Sequence, residues 1–435
     1  MKFIIWKTLS RKERLQVLRR SAQKQNDDIR FIALQIIEEI KKRGDSALEE
    51  FSEKFDNVAL RSFRVGDREF QRTERELSEE IKKMLQRAAR NIEKFHAAQK
   101  RGKICVQTMP GVSCELRFLP IEKVGLYVPG GTATLPSTVL MLGIPSKLAG
   151  CETRILCTPP RQDGSVDPSI LYAAQLCGIR EVYRIGGAQA IAAMAYGTKT
   201  VPKVDKIFGP GNAYVTEAKI LVSQDPDGAA MDIPAGPSEV MILADGKADP
   251  VFVAADLLSQ AEHDRHAQAI LVTHHIPLAK KVAEEVRRQV VNLPRKNIAE
   301  VSLQNNGRII LVDSLKAGIE VINAYAPEHL ILQIDKPEKY LKDIRHAGSI
   351  FLGKWTPEAV GDYASGTNHI LPTYGYARAF GGVNLASFMK TMTVQSLTAK
   401  GLKNIAPIVE KLADLEELTA HRHAVFLRRK NLEHF

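Results

Sequence analysis

The chain has 435 residues, 44% of them hydrophobic and 26% charged. That mixture excludes a disordered chain, a collagen and a short disulfide scaffold, and the length predicts two or three domains at about 150 residues each. The net charge of +11 is confined to the ends: residues 1–25 hold eight Lys/Arg against one acidic residue, residues 421–435 hold four against one, and the stretch between is close to neutral. A nucleic-acid binder carries a basic stripe with a recognisable motif. The sequence has none, so no nucleic-acid partner is expected.

The apolar run Phe3-Ile-Ile-Trp6 is shorter than the roughly 7–15 residues of a secretory signal. Ser10-Arg-Lys-Glu13 has the pattern of a capping box, which predicts a helical extension over 1–25. Next comes a helical stripe of Ile29, Ile32, Ile36, Ile37 and Ile40 closed by Gly44. A second stripe, Leu77, Ile81, Met84, Ala88, Ile92 and Phe95, is expected to face a core. The uncharged stretch 124–146 is long enough to span a bilayer. Its three prolines and four glycines favour a loop and a helix, and no membrane partner is expected. Five cysteines without a CxxC pair fit a reducing, cytoplasmic compartment and read as small buried hydrophobes.

From about residue 120 short apolar runs alternate with helical patterns. Strands are predicted at 124–128, 153–157, 182–185, 206–208, 240–244, 269–273, 308–312, 330–334 and 349–352. Strands alternating with helices predict an α/β fold, and this many units predict two parallel sheets covered on both faces. From about Leu385 the chain reads as helical only. Several strands end in glycine-bearing turns that open helices, where backbone N–H groups favour a pyrophosphate. The fingerprint GxGxxG is nevertheless absent, Gly209-Pro-Gly211-Asn-Ala-Tyr214 failing at its last position. Ligands of open α/β sheets are expected at the carboxyl ends of the strands.

Four groups could carry chemistry. Gln260 and His263 are three apart, on one face of a predicted helix, with His266 a rival by spacing. Glu328-His329 sits at an element boundary, suited to proton transfer, although Glu-His pairs are common. Asp362 and His369 lie in a polar, glycine-punctuated loop. Glu416 and His421 lie in the tail, five apart and so poorly aligned on a helix. Two His, one Asp and a Gln would make a nitrogen/oxygen site for Zn²⁺ or a similar ion, but spacing alone does not assemble them.

Read together, these segments resemble the histidinol dehydrogenase family. The motifs are Gly125-Leu-Tyr-Val-Pro-Gly-Gly131, Gly186-Gly-Ala-Gln-Ala190, Gly209-Pro-Gly-Asn-Ala-Tyr-Val215, Asp232-Ile-Pro-Ala-Gly-Pro-Ser-Glu239 and the run from Asp256 to Asp264. They continue with Ala326-Pro-Glu-His329, Gly361 to His369, Pro372-Thr-Tyr-Gly-Tyr376 and Leu418-Thr-Ala-His421. The resemblance implies two Rossmann-like (aldehyde-dehydrogenase-like) parallel-sheet domains with small helical extensions at both ends. The expected division is 1–25 as N-terminal extension, 26–131 with 240–383 as the larger domain, 132–239 as the second domain, and 384–435 as a helical tail.

The resemblance also implies roles. Gln260, His263, Asp362 and His421 would bind one Zn²⁺, and Glu328 and His329 would be the acid/base pair. Tyr127, Gln189 and Asn212 would contact NAD⁺, while Ser238, Glu416, His329 and the zinc shell would hold L-histidinol. The family forms a homodimer whose tail crosses to the partner. The implied reaction takes L-histidinol to L-histidine with two NAD⁺. A zinc hydrolase using Glu328 as base, and a basic-ended module without activity, are the alternatives.

Overall fold

The computed structural model describes residues 1–20, 27–60, 62–130, 134–234 and 236–432. Gly131, Ala235 and residues 21–26, which the sequence assigned to glycine motifs and the N-terminal extension, lie outside the described residues.

Every strand predicted from an apolar run is present within one residue of its expected bounds. They form two parallel sheets. The first has six strands in the order Lys2–Ile5, Arg308–Leu311, Gln268–Thr273, Glu239–Ala244, His329–Gln333 and Ser349–Leu352. The strands Gln268–Thr273, Glu239–Ala244 and His329–Gln333 are buried at each residue, as expected of parallel strands covered on both faces. The second has five strands, in the order Glu181–Arg184, Thr153–Thr158, Lys123–Tyr127, Lys206–Phe208 and Ala230–Met231.

The division of the chain between the sheets differs from the expected one. Segment 26–131 was grouped with 240–383, yet Lys123–Tyr127 is the middle strand of the five-stranded sheet. The helix Asp27–Arg43 buries Ala33, Ile36, Ile37 and Ile40 among residues of the helices Gly187–Tyr196 and Ala213–Gln224. Burying each isoleucine is worth about 2 kcal/mol, so this stripe commits the helix to that sheet. The helix Glu79–Ala97 packs on the helix Pro136–Ala149 through Leu85, Ala88 and Ile92. Ile81, Met84 and Phe95 are about half exposed, so the predicted stripe is one step off the buried face.

Both termini carry strands where only helices were expected. Lys2–Ile5 pairs with Arg308–Leu311 at the edge of the six-stranded sheet. The capping box is present, Ser10 N–H donating to Glu13 at 2.7 Å and Glu13 N–H to Ser10 Oγ at 3.3 Å, and opens the helix Arg11–Val17. Near the other end, Met389–Leu397 joins Val112–Pro120 and Ile104–Met109 in a three-stranded antiparallel sheet. Thr391, Thr393 and Val394 suit a strand, but it is exposed almost throughout, so no alternation of apolar residues announces it. Two helices follow, Ala399–Leu415 and Thr419–Asn431, packed on each other. No helix among the described residues is long and apolar enough to cross a membrane. The five cysteines are all free, but Cys105 is exposed rather than buried.

Candidate active site

The buried acid/base pair stands where a helix gives way to a strand. Ala326 adopts a left-handed conformation (φ 57°) that stops the helix Leu315–Tyr325. Pro327 cannot continue a helix, and His329 begins a strand. Glu328 and His329 are 5% and 4% exposed. The main chain of Glu239, in the adjacent strand, holds both: its N–H donates to Glu328 Oε2 at 2.7 Å, and its carbonyl lies 3.1 Å from His329 Nδ1. His329 Nδ1 is also 3.4 Å from Glu328 Oε2. On its other side, Nε2 faces Asp362 Oδ1 at 3.4 Å and makes no hydrogen bond.

Glu239 is itself anchored. The Arg20 guanidinium forks onto its carboxylate, one arm at 2.8 Å, and donates to the Tyr325 carbonyl at 3.0 Å. The same guanidinium lies 3.9 Å from the centre of the Tyr325 ring. Ser238 directly precedes Glu239, at the amino end of its strand.

Gln260 ends the helix Pro250–Ala261, and His263 lies in the turn just beyond it, its N–H donating to the Gln260 carbonyl at 3.2 Å. The two are thus one turn apart without sharing a helix face. His266 is exposed in the same turn. Ser259 and Gln260 adjoin Glu358, which is 1% exposed at the start of the helix Glu358–Tyr363. That helix carries Asp362. The Asp362 carbonyl lies 2.7 Å from His369 Nδ1, and His369 Nε2 lies 3.1 Å from Thr138 Oγ1. Thr138 is in the first turn of the helix that follows the strand Lys123–Tyr127, so His369 joins the two sheets across the site.

The electrostatics are those of crowded acids around imidazoles. Burial raises the pKa of Glu328, with His329 pulling the other way. Burial pushes Glu358 up to about 8 and Asp256, on the helix that carries Gln260, up to about 6. Burial depresses His329, but Glu328, Asp362 and Glu358 outweigh it and raise the net value well above the ordinary one. For Asp362 burial acts upward, while His329, His369 and His263 prevail and lower it. His263 is exposed as a residue, but loss of solvent around its ring lowers its pKa, favouring the neutral form a metal requires.

The other expected residues divide. Tyr127 ends its strand, and its hydroxyl accepts from Gly187 N–H at 3.0 Å. Gln189 is buried in the first turn of the helix Gly187–Tyr196, and Asn212 caps the helix Ala213–Gln224. All three lie at the carboxyl ends of the five-stranded sheet, as expected for nucleotide contacts. Glu328, His329 and Ser238 lie at the amino ends of the six-stranded sheet, opposite to that expectation. Glu416 and His421 are exposed on either side of the break between the tail helices, which pack on each other. Neither tail helix packs extensively on the helices that carry Gln260 and Asp362.

Within one chain the candidate metal donors are therefore an amide oxygen, an imidazole and a carboxylate. Among the described residues no three His, Cys, Asp or Glu gather closely enough to hold a metal. The donor types suit zinc, and Asp362, the one carboxylate among them, is held below its usual range by the surrounding histidines, which favours the ionised form a metal requires. The set fits a metal half-site that lacks one ligand. Sequence reasoning missed Arg20, Glu239 as an anchor, and Glu358. Glu239 stood only as the last residue of a motif and Glu358 as an acid following a proline just before the loop 361–369, while Arg20 left no trace.

Fold and site together define a two-sheet α/β protein with a buried Glu–His pair beside a set of candidate nitrogen and oxygen donors. The family model for histidinol dehydrogenase matches residues 18–429. Histidinol dehydrogenase of Vibrio parahaemolyticus is 52% identical over 432 residues, covering 99% of each chain. That of Yersinia pestis is 52% identical over 425 residues, covering 98% of this chain and 95% of the relative. The crystal structure of histidinol dehydrogenase from Elizabethkingia anophelis superposes with a TM-score of 0.94 at 48% identity, covering 99% of this chain and 98% of that one. The chain belongs to the histidinol dehydrogenase family, oxidoreductases of histidine biosynthesis.

Proposed function

We propose that the protein oxidises L-histidinol to L-histidine with two NAD⁺ and one water, releasing two NADH, through L-histidinaldehyde held in one site. The observation that carries this reading is the buried Glu328–His329 pair, tied to the main-chain N–H and carbonyl of Glu239 and facing the candidate metal donors. His329 takes the hydroxyl proton in the first oxidation. Its ordinary pKa of about 6.5 suits a base near neutral pH. Of the acids that raise it here, Asp362 is the one the proposed cation would neutralise. Glu328 activates the water that adds to the aldehyde, and His329 takes a proton from the hydrate in the second oxidation. Each such transfer is worth roughly 10²–10⁴-fold in rate.

Gln260, His263 and Asp362, with His421, would hold zinc, which when bound supplies a redox-silent charge that orients the imidazole and amine of the substrate. Tyr127, Gln189 and Asn212 would hold NAD⁺ against the five-stranded sheet. Ser238 and Glu416 would contact the substrate. Since Glu416 and His421 stand away from the other ligands in their own chain, they are read as serving the partner of a homodimer. The tail fits that role: Leu412, Leu415 and Leu418 beside them are 54%, 70% and 42% exposed. No cysteine is among these residues, which disfavours a covalent thiohemiacetal. No nucleic-acid or membrane partner is expected, and the reaction fits the cytoplasm.

The test is the ratio of NADH formed to L-histidinol consumed in excess NAD⁺, with and without a chelator. A ratio near two, lost on chelation and restored by zinc, is expected. A folded, zinc-loaded protein that forms no NADH from L-histidinol would overturn the reading.

A further inference from the structure

The reaction as described leaves the most deeply buried of its unused acids, Glu358, without a task. Glu358 is 1% exposed, and the Ser259 hydroxyl donates to its Oε1 at 3.2 Å. Its other neighbour is the Gln260 side chain. With the amide nitrogen turned towards Glu358, it reaches the two carboxyl oxygens at 2.9 and 3.3 Å. The opposite rotamer would set the amide oxygen against those oxygens and leave the nitrogen without an acceptor. An ionised carboxylate offers acceptors only, so it takes the amide nitrogen and not the oxygen. The choice matters because only the oxygen of a glutamine amide is a useful ligand for a hard or borderline cation, whereas its NH₂ repels one.

We propose that Glu358 is a positioning residue for the metal site: it captures the Gln260 amide nitrogen and so turns the Gln260 oxygen outward as a ligand. The proposal rests on the reading that Gln260 ligates the metal. Glu358 acts here through Gln260 alone. Partners that orient a ligand in this way typically contribute 10–100-fold to metal affinity.

A double-mutant cycle on the full-length protein tests this. Zn²⁺ affinity is measured by competition with a chelator of known affinity, for wild type, Glu358→Ala, Gln260→Ala and the double variant. Each is checked for native circular dichroism. Glu358→Ala is expected to raise the zinc Kd by about 10–100-fold. Gln260→Ala should raise it at least as much, and the double variant no more than Gln260→Ala alone, because a residue acting only through Gln260 has nothing left to act on. Glu358→Gln keeps the volume and one acceptor and should fall between wild type and Glu358→Ala. It carries the test if the alanine variant does not fold.

If Gln260→Ala weakens zinc and neither Glu358 variant does, the positioning role is overturned and Gln260 remains a ligand. Additive effects would overturn it too, since Glu358 would then act directly on the cation. If Gln260→Ala leaves affinity unchanged, Gln260 is not a ligand and the positioning role falls with it.

Discussion

His329 holds its place through one hydrogen bond to a main-chain carbonyl and two acidic neighbours, and is not itself one of the proposed zinc ligands. His329→Ala should therefore lower kcat by roughly 10²–10⁴-fold and leave bound zinc unchanged. Full turnover would remove His329 from the chemistry. A second prediction concerns Asp56, whose Oδ2 is buried without a partner and whose pKa burial raises to about 6 from 3.8. The folded protein thus binds this proton more tightly than the unfolded chain. Stability falls as pH rises from about 4 to 6 and stays lower above that window. Asp56→Asn should gain about 1 kcal/mol at pH 7.5, allowing for solvent screening, and nothing near pH 4. Urea titrations at the two pH values would measure the difference. At this scale Glu328, His329, Gln260, His263 and Asp362 stood out in the sequence as candidates, because the residues of each motif stay together in the chain. Glu239, Glu358 and Arg20 did not, because an acid or arginine that works by tertiary contact looks like any surface charge until the fold buries it.

At the scale of elements, the N-terminal segment is bound to the site wall. Arg20 is 6% exposed and Glu239 is fully buried, so the pair is desolvated on both sides. Removing one partner of such a pair typically costs about 3–5 kcal/mol. Arg20→Met should lose about that much stability in urea unfolding, and adding Glu239→Gln should recover part of it by removing the stranded charge. A loss below about 1 kcal/mol would mean that the pair is effectively solvated. The elements themselves were legible where burial is two-sided: continuous apolar runs such as Val240–Ala244 are visible in any window. Exposed strands such as Met389–Leu397 leave no such imprint. The helix Glu79–Ala97 shows a further limit: adjacent apolar stripes share Ile92 and Ala88, and only the facing helix Pro136–Ala149 decides which is buried.

At the scale of the molecule, the homodimer reading predicts complementation. His421→Ala and His263→Ala subunits, each inactive alone, should regain part of the activity when mixed, since one of the two sites then receives both intact histidines. Verified heterodimers without activity would mean that the tail does not cross. The division of the chain between sheets was the least legible feature, because the strand Lys123–Tyr127 pairs with partners on both sides that follow it in the chain.

The two sheets present opposite ends to the shared cleft, and this polarises it. The helices Gly187–Tyr196 and Ala213–Gln224 follow their strands, so their amino ends, each carrying about half a positive charge, are the ends at that wall. The helices Pro250–Ala261 and Leu315–Tyr325 precede theirs and bring carboxyl ends, with about half a negative charge each, to the opposite wall. The backbone alone thus favours opposite signs at the two walls before any side chain acts: the proposed dinucleotide phosphate would be drawn to one side and the proposed cation to the other. Each helix end is worth about 0.3–1 kcal/mol, and point substitutions leave that bias in place.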